Sequence, residues 1–442
     1  MANLPKGSKK LLNAWAFYDW ANSVYSLVIA SAIFPIFYGA LTLVKDEEGK
    51  ILDDTVTFLG FDFNNDTLIS YVTAAAFLMV SILSPLLSGV ADYVGNKKVF
   101  MKFFCYLGAV SCIGLYWFSL DYLWFGLLCY FLALIGFWAS LVFYNSYLPD
   151  IAFPEQQDKI SAKGYSLGYI GSVILLCVCL AMILMYETFG FEDEGLPTRL
   201  SFVLTGVWWI GFSQYTYYYL PKGNKKQKFT KHLLFNGFKE LKKIWNKLGE
   251  NKSLKRYLAA FFVYSMAVQT IMLVATYFGI EELDWGETNA TTGLIVSILL
   301  IQLVAVLGAF LTSRASAKFG NINTLIVLNI IWICICIYAY SITTPVQFYV
   351  TAGFVGLVMG GIQSLSRSTY SKLIPEGAID TASYFSFYDV AEKIGIVIGM
   401  FSYGFVAQAT GSIRYAILFF ILFFVVGLVL LFRVPRGVEV SE

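Results

Sequence analysis

The chain has 442 residues, of which 58% are hydrophobic and only 14% charged, with a net charge of +2. A soluble chain carries about a quarter charged residues, so the apolar excess belongs to repeated membrane spans of about 20 residues each. The near-neutral balance argues against nucleic acid as a partner, and the single histidine, His232, removes most metal-site and histidine-dependent catalytic readings.

The first apolar stretch runs from Ala14 to Tyr38 and is too long for a cleaved signal, so it reads as a true membrane helix. Asp19 lies inside it, with Asn22 and Ser23 three and four residues on, which places all three on one helical face. A carboxylate at the centre of a membrane helix costs roughly 2.5–3.5 kcal/mol on insertion scales. It is kept only where a partner, a cavity or a function offsets that cost.

Twelve spans are expected, at about 14–44, 67–91, 98–119, 122–147, 162–186, 199–220, 256–280, 288–313, 322–342, 346–372, 382–409 and 412–433. Pro35 and Pro85 inside spans are expected to bend their helices. With the N-terminus inside, the outer loops hold only Lys45, Lys50, Arg199 and Arg414 among the basic residues, together with acids such as Asp46, Glu47, Glu48, Asp53 and Asp54. Lys6, Lys9, Lys10, Lys97, Lys98 and Lys102 fall on the other side, so both termini are expected in the cytoplasm, the membrane being the inner one if the cell is bacterial. The seven cysteines all lie in apolar spans. Cys177/Cys179 and Cys334/Cys336 are two apart and diverge around their helices, so they read as packing residues.

Residues 221–255 separate six spans from six, giving an expected organisation of 1–220, a basic linker, and 256–442. Within the linker Leu234, Phe238, Leu241, Trp245 and Leu248 recur at helical spacing, with Lys239, Lys242, Lys243 and Lys247 between them. This is the pattern of an amphipathic helix on the inner membrane surface, its lysines near anionic lipid headgroups. The halves are related: Tyr144…Leu148-Pro149-Asp150 returns as Tyr370…Ile374-Pro375-Glu376, at nearly the separation of Gly95 from Gly320. A duplicated six-helix unit is a common plan of secondary transporters.

The turn after the second span contains Gly89, Asp92, Gly95, Lys97 and Lys98. Glycines permit a tight turn and close helix approach, an aspartate can cap a helix start, and lysines hold the turn inside. This spacing resembles the signature of the major facilitator superfamily. The resemblance implies two pseudo-symmetric six-helix bundles and a latch between Asp92 and the start of span eleven. The second copy has Ala317 where the aspartate would stand, which implies a one-sided latch. A narrower resemblance rests on Trp15, Tyr18, Asp19, Trp20, Asn22 and Ser23, and on Gln363, Ser366, Arg367, Ser368, Phe387, Tyr388, Asp389 and Lys393. These residues are similar to the vacuole-effluxer branch, named for fungal vacuolar proteins that export amino acids, although Glu392 stands where a small residue is expected.

The intramembrane charges are Asp19, Arg367, Asp389, Glu392 and Lys393. Asp389 and Lys393 stand at i and i+4 and are placed to pair, leaving Glu392 and Arg367 to find partners across helices. By resemblance, spans one, four, seven and ten line the cavity, which turns Asp19, Asn145 and Arg367 toward a substrate. The expected function is secondary transport of a small solute by alternating access. Amino acids lead as the substrate class, Arg367 holding a carboxylate and Asp19 or Glu392 coupling protons. An inner-gate salt-bridge network is the competing role for these charges. Drugs, sugars or lipids are alternative substrates, and a membrane enzyme or a non-transporting scaffold are alternative classes. Gly164-Tyr-Ser166-Leu-Gly168 matches a hydrolase nucleophile elbow but lies in a span without a histidine base. No phosphate-binding loop, metal cluster or cofactor motif is present in the sequence, so nucleotide-driven transport is not expected.

Overall fold

Long apolar runs broken by short polar turns leave the backbone one economical solution, helices that satisfy their own hydrogen bonds. The computed structural model describes residues 4–45, 51–223, 233–286 and 289–435; His232, Asp46, Glu47, Glu48 and Lys50 lie outside them. The first six long helices are α1 (Lys9–Thr42), α2 (Asn65–Val94), α3 (Lys97–Gly114), α4 (Leu123–Ser146), α5 (Pro154–Leu184) and α6 (Gly195–Tyr219). After the linker helix α7 (Leu233–Glu250) come α8 (Lys252–Glu282), α9 (Ala290–Phe319), α10 (Asn321–Ser341), α11 (Pro345–Leu373), α12 (Thr381–Thr410) and α13 (Ile413–Phe432).

Among the described residues, eleven helices are long and apolar enough to cross a membrane. The exception to the expected twelve is α6, which has the length but is diluted by Thr198, Ser201, Thr205, Ser213, Gln214 and Thr216. Of these, Ser201, Thr205, Ser213 and Thr216 are buried inside the first bundle. Thr216 Oγ1 donates to the Ala14 carbonyl at 2.7 Å, and Trp208 Nε1 to the Trp20 carbonyl at 3.1 Å, both on α1.

The buried side chains form two apolar cores, one drawn mainly from α1–α6 and the other mainly from α7–α13. Both bundles are stapled alike on the face opposite the linker. Arg199, at the start of α6, donates to the Tyr116 and Phe118 carbonyls after α3 and lies over the Phe37 ring of α1. Arg414, at the start of α13, donates to the Tyr340 and Ile342 carbonyls at the end of α10 and lies over the Phe278 ring of α8. Each guanidinium caps a helix C-terminus, where the macrodipole favours a cation. The matched placement is the duplication read from the sequence, expressed in three dimensions.

In α1, Tyr25–Ile33 adopts a π-helix directly before Pro35. Proline brings no amide to the residue four back, and the wider turn absorbs that loss. The segment between α1 and α2 forms two hairpins, β1 (Val44–Lys45) with β2 (Ile51–Asp53), and β3 (Thr55–Phe58) with β4 (Phe61–Asn64). Their face is called the hairpin face below, and its opposite the linker face.

The linker helix departs from the expected pattern. Ile244 and Leu248 are buried and Leu241 half-buried, whereas Trp245 is 65% exposed and touches the Phe387 ring. The helix packs against α2 and α12, so protein contact selects a face one residue round from the one that membrane contact would select. Leu234 and Phe238 lie outside the described side chains.

Candidate functional site

Three layers of polar residues cross the seam between the bundles. At the linker face, α2 ends in Gly95, whose φ of +70° is the left-handed conformation that glycine adopts without strain. Gly89 is buried two turns earlier on the same helix. The turn sets Asp92 against the first turn of α12. Asp92 Oδ2 accepts from the Ser383 amide at 2.7 Å and hydroxyl at 2.6 Å, and Oδ1 accepts from the Ala382 amide at 3.3 Å. A carboxylate of one bundle thereby caps a helix of the other. Lys97 meets Asp150 at 2.5 Å and donates to Thr381 at 2.8 Å. Lys98 does not cross the seam; it caps the C-terminus of α6 through the Leu220 carbonyl at 2.7 Å.

The second copy of the turn is not idle, and the one-sided latch implied by Ala317 is not what forms. Asp158 on α5 accepts from Asn321 at 2.9 Å, Ser316 at 3.1 Å and Lys372 at 2.6 Å. The acid comes from the opposite bundle, the turn supplies Ser316 and Asn321, and α11 supplies Lys372. Helix α5 begins at Pro154 rather than near residue 162, so Asp158 belongs to the helix and not to a solvated loop. Nothing in its immediate sequence marks it.

The middle layer is the buried pair Asp19 and Arg367, on α1 and α11. Arg367 is 2% exposed and makes four hydrogen bonds to protein. Nη2 meets Asp19 Oδ2 at 3.1 Å and the Ser161 carbonyl at 3.0 Å, Nε meets Ser161 Oγ at 2.9 Å, and Nη1 meets Asn145 Oδ1 at 3.2 Å. Asp19 Oδ2 also accepts from Tyr144 at 2.8 Å. The guanidinium stacks over Tyr165, Trp15 and Tyr144, at 4.2, 4.9 and 5.4 Å from their centroids. Asp19, Asn145 and Arg367 are thus brought together. Asn22 is buried but stays apart, its Oδ1 accepting from Ser23 at 3.4 Å. Ser161 was not singled out from the sequence.

The third layer belongs to α12. Lys393, 0% exposed, holds Asp389 Oδ1 at 2.9 Å and Glu392 Oε2 at 2.7 Å. Its ammonium lies 3.5 Å from the centroid of Trp138, on α4 of the other bundle, a cation–π contact. Glu392 Oε1 accepts from Gln269 on α8 at 2.5 Å. Beside Glu392 is a cavity of about 20 Å³, lined in part by Tyr165, Tyr264, Gln269, Gln363 and Ser366. That is room for a single water. Of its lining residues, Gln363 on α11 accepts from Tyr169 on α5 at 2.8 Å.

The glycine spacings of α5 explain how α1 approaches so closely. A Cβ on Gly164 would collide with Asp19 Oδ2, and one on Gly168 with Ser23 Oγ. The apparent nucleophile elbow is therefore a helix-packing stripe.

The chain matches the family model described as "Vacuole effluxer Atg22 like" over residues 7–439. It is 31% identical to an uncharacterized MFS-type transporter, YxiO, of Bacillus subtilis (strain 168), over 97% of this chain and 96% of that protein. It is 25% identical to Autophagy-related protein 22 of Coccidioides immitis (strain RS), over 97% and 87%. Among solved structures, the MFS transporter FucP in its outward conformation aligns with a TM-score of 0.67 at 14% identity, over 97% of this chain and 99% of that one. The proton:xylose symporter XylE aligns at 0.67 and 11% identity, over 97% and 96%. The chain is therefore a multi-pass transporter rather than an enzyme, and it belongs to the Atg22-like vacuole effluxer family on the major facilitator fold.

Proposed function

We propose that the protein moves amino acids across the membrane by alternating access, coupled to protons, with the linker face in the cytoplasm. The distribution of Lys and Arg supports that orientation. The bodies that rock are residues 1–220 and 256–442, joined by 221–255. The observation that carries the reading is the pair Asp19–Arg367, a bidentate-capable cation held between the two bundles.

In the present conformation Arg367 is engaged by Asp19, Ser161 and Asn145 and the neighbouring cavity has room for only one water, so the seam is shut toward the linker face. Parting the bundles releases the guanidinium, and a substrate carboxylate takes the place of Asp19. A substrate amine then meets the carboxylates of α12. Asp19, Asp389 and Glu392 are the acids available to carry a proton, and membrane lipids surround the exposed apolar faces.

The test is uptake of a pooled labelled amino-acid mixture into proteoliposomes, with and without an imposed pH gradient. Gradient-dependent uptake that is lost in Asp19→Asn and Arg367→Ala is expected. Full uptake by both variants would remove these side chains from the transport path. No uptake by folded wild-type protein would withdraw the amino-acid class.

A further inference from the structure

We infer that Asp389 is the residue that takes up the proton, at Oδ2, and that Ser84 on α2 receives its hydrogen bond across the seam. The inference deepens the proton coupling proposed above and does not depend on the substrate class. Three observations carry it.

The first is charge balance. Asp389 and Glu392 share the single ammonium of Lys393. The neighbours that face this trio from other helices bring no charge: Ser84 from α2, Trp138 from α4 and Gln269 from α8. Tyr165 of α5 and Tyr388 beside Glu392 are phenols, uncharged near neutral pH. Arg367 is occupied by Asp19. Asp92, Lys243 and Lys247 act at the start of α12, near Ser383 and Asp380, and Arg414 of α13 acts at the hairpin face with Glu282. The trio ionised in full carries one surplus negative charge in a buried site, and one proton cancels it.

The second is the state of each oxygen. Glu392 has a donor on both oxygens, Gln269 on one and Lys393 on the other. Asp389 has Lys393 on Oδ1, while Oδ2 is the single carboxylate oxygen among the buried side-chain atoms without a hydrogen-bond partner in the described residues. Ser84 Oγ is also without one. Asp389 is 6% exposed and Ser84 1%. Ser84 is the α2 side chain that acts on Asp389; its hydroxyl can donate to an ionised Oδ2 or accept from a protonated one, and the surplus charge of the trio selects the protonated form.

The third is position. α2 and α12 run side by side from the Asp92–Ser383 contact. Eight residues back along α2, and six forward along α12, Ser84 and Asp389 stand at one level, about 9–12 Å from that contact by helical rise. The chemistry is a single association: the carboxylate binds H⁺, and its new O–H donates to Ser84 Oγ. Parting α2 from α12 at the linker face hydrates Asp389 and releases the proton. Low pH therefore favours the conformation closed at the linker face.

Spin labels on Val99→Cys and Ile379→Cys, both exposed at the linker face of opposite bundles, report the closure in full-length protein in lipid nanodiscs. The exposed native thiols are removed by Cys177→Ala and Cys334→Ala. Raising the pH from about 5 to about 9 should move the wild-type distance distribution from short to long. Asp389→Asn, a neutral mimic of the acid, should stay short throughout. Glu392→Gln removes the surplus charge, so its midpoint should move to lower pH by at least about one unit. A wild-type distribution insensitive to pH overturns the assignment, as does a wild-type response retained in Asp389→Asn. Should Asp389→Asn not fold, an unmoved midpoint in Glu392→Gln overturns it equally. A pH response in protein that transports no amino acid leaves the assignment standing and removes only the substrate class.

Discussion

Arg367 shows how much one side chain can bind together. Its fork ties Asp19, Asn145 and Ser161, on three helices of the first bundle, to α11 of the second. A lysine keeps the charge but has neither the planar fork nor the reach to serve all three, so Arg367→Lys should lower both thermal stability and uptake. Asp19→Asn leaves a buried guanidinium without its counter-charge, a change that costs about 3–5 kcal/mol for buried pairs. Removing both charges, as in Asp19→Asn with Arg367→Gln, should cost less than the sum of the single changes. A thermal-unfolding cycle over the four proteins measures that coupling, and strict additivity would mean that the pair contributes nothing specific. Asp19 and Arg367 were legible in the sequence because charge is rare in an apolar run. Ser161 was not, because serine is common in membrane helices and ordinarily bonds its own backbone.

Among the elements, α5 is the one that lets α1 reach the seam. Gly164 sits against Asp19, Tyr144 and Arg367, and a methyl group there must push the Asp19 carboxylate off the guanidinium. Gly164→Ala should therefore weaken linker-face closure and uptake together. Gly353→Ala on α11, where an added Cβ meets nothing within 4 Å, should instead stabilise by about 0.5–1 kcal/mol through helix propensity. Equal effects of the two substitutions, in uptake and thermal unfolding, would show that Gly164 is an ordinary helical glycine. The sequence shows Gly164 and Gly168 four apart within a span but not what they pack against, since spacing fixes a face and not its partner. The linker helix illustrates the same gap. Its period was legible, but the choice between Ile244 and Trp245 as the inward residue depends on where α2 and α12 lie.

At the scale of the whole molecule, the linker face is held by two contacts that the duplication relates and the sequence does not. In the first half the turn between α2 and α3 supplies the acid, Asp92, and the facing helix α12 supplies the amides and hydroxyl. In the second half the turn between α9 and α10 supplies donors, Ser316 and Asn321, and the facing helix α5 supplies the acid, Asp158. The exchange keeps one carboxylate per contact and leaves Ala317 free to remain small. A motif search finds Asp92 and misses Asp158, because the compensation sits in the other half of the chain. Hydrogen bonds to charged groups contribute about 1.5–3 kcal/mol each, so Asp92→Asn and Asp158→Asn should each raise the open-to-closed ratio at this face by roughly tenfold. The two acids share no partner among their hydrogen bonds, so the effects should multiply to roughly a hundredfold in the double variant. Inter-bundle distance distributions at fixed pH give these ratios directly. A ratio unchanged by Asp158→Asn would leave closure to the Asp92 side alone, whereas two equal shifts would mean that the bundles close on a pair of latches built from opposite halves of the same repeat.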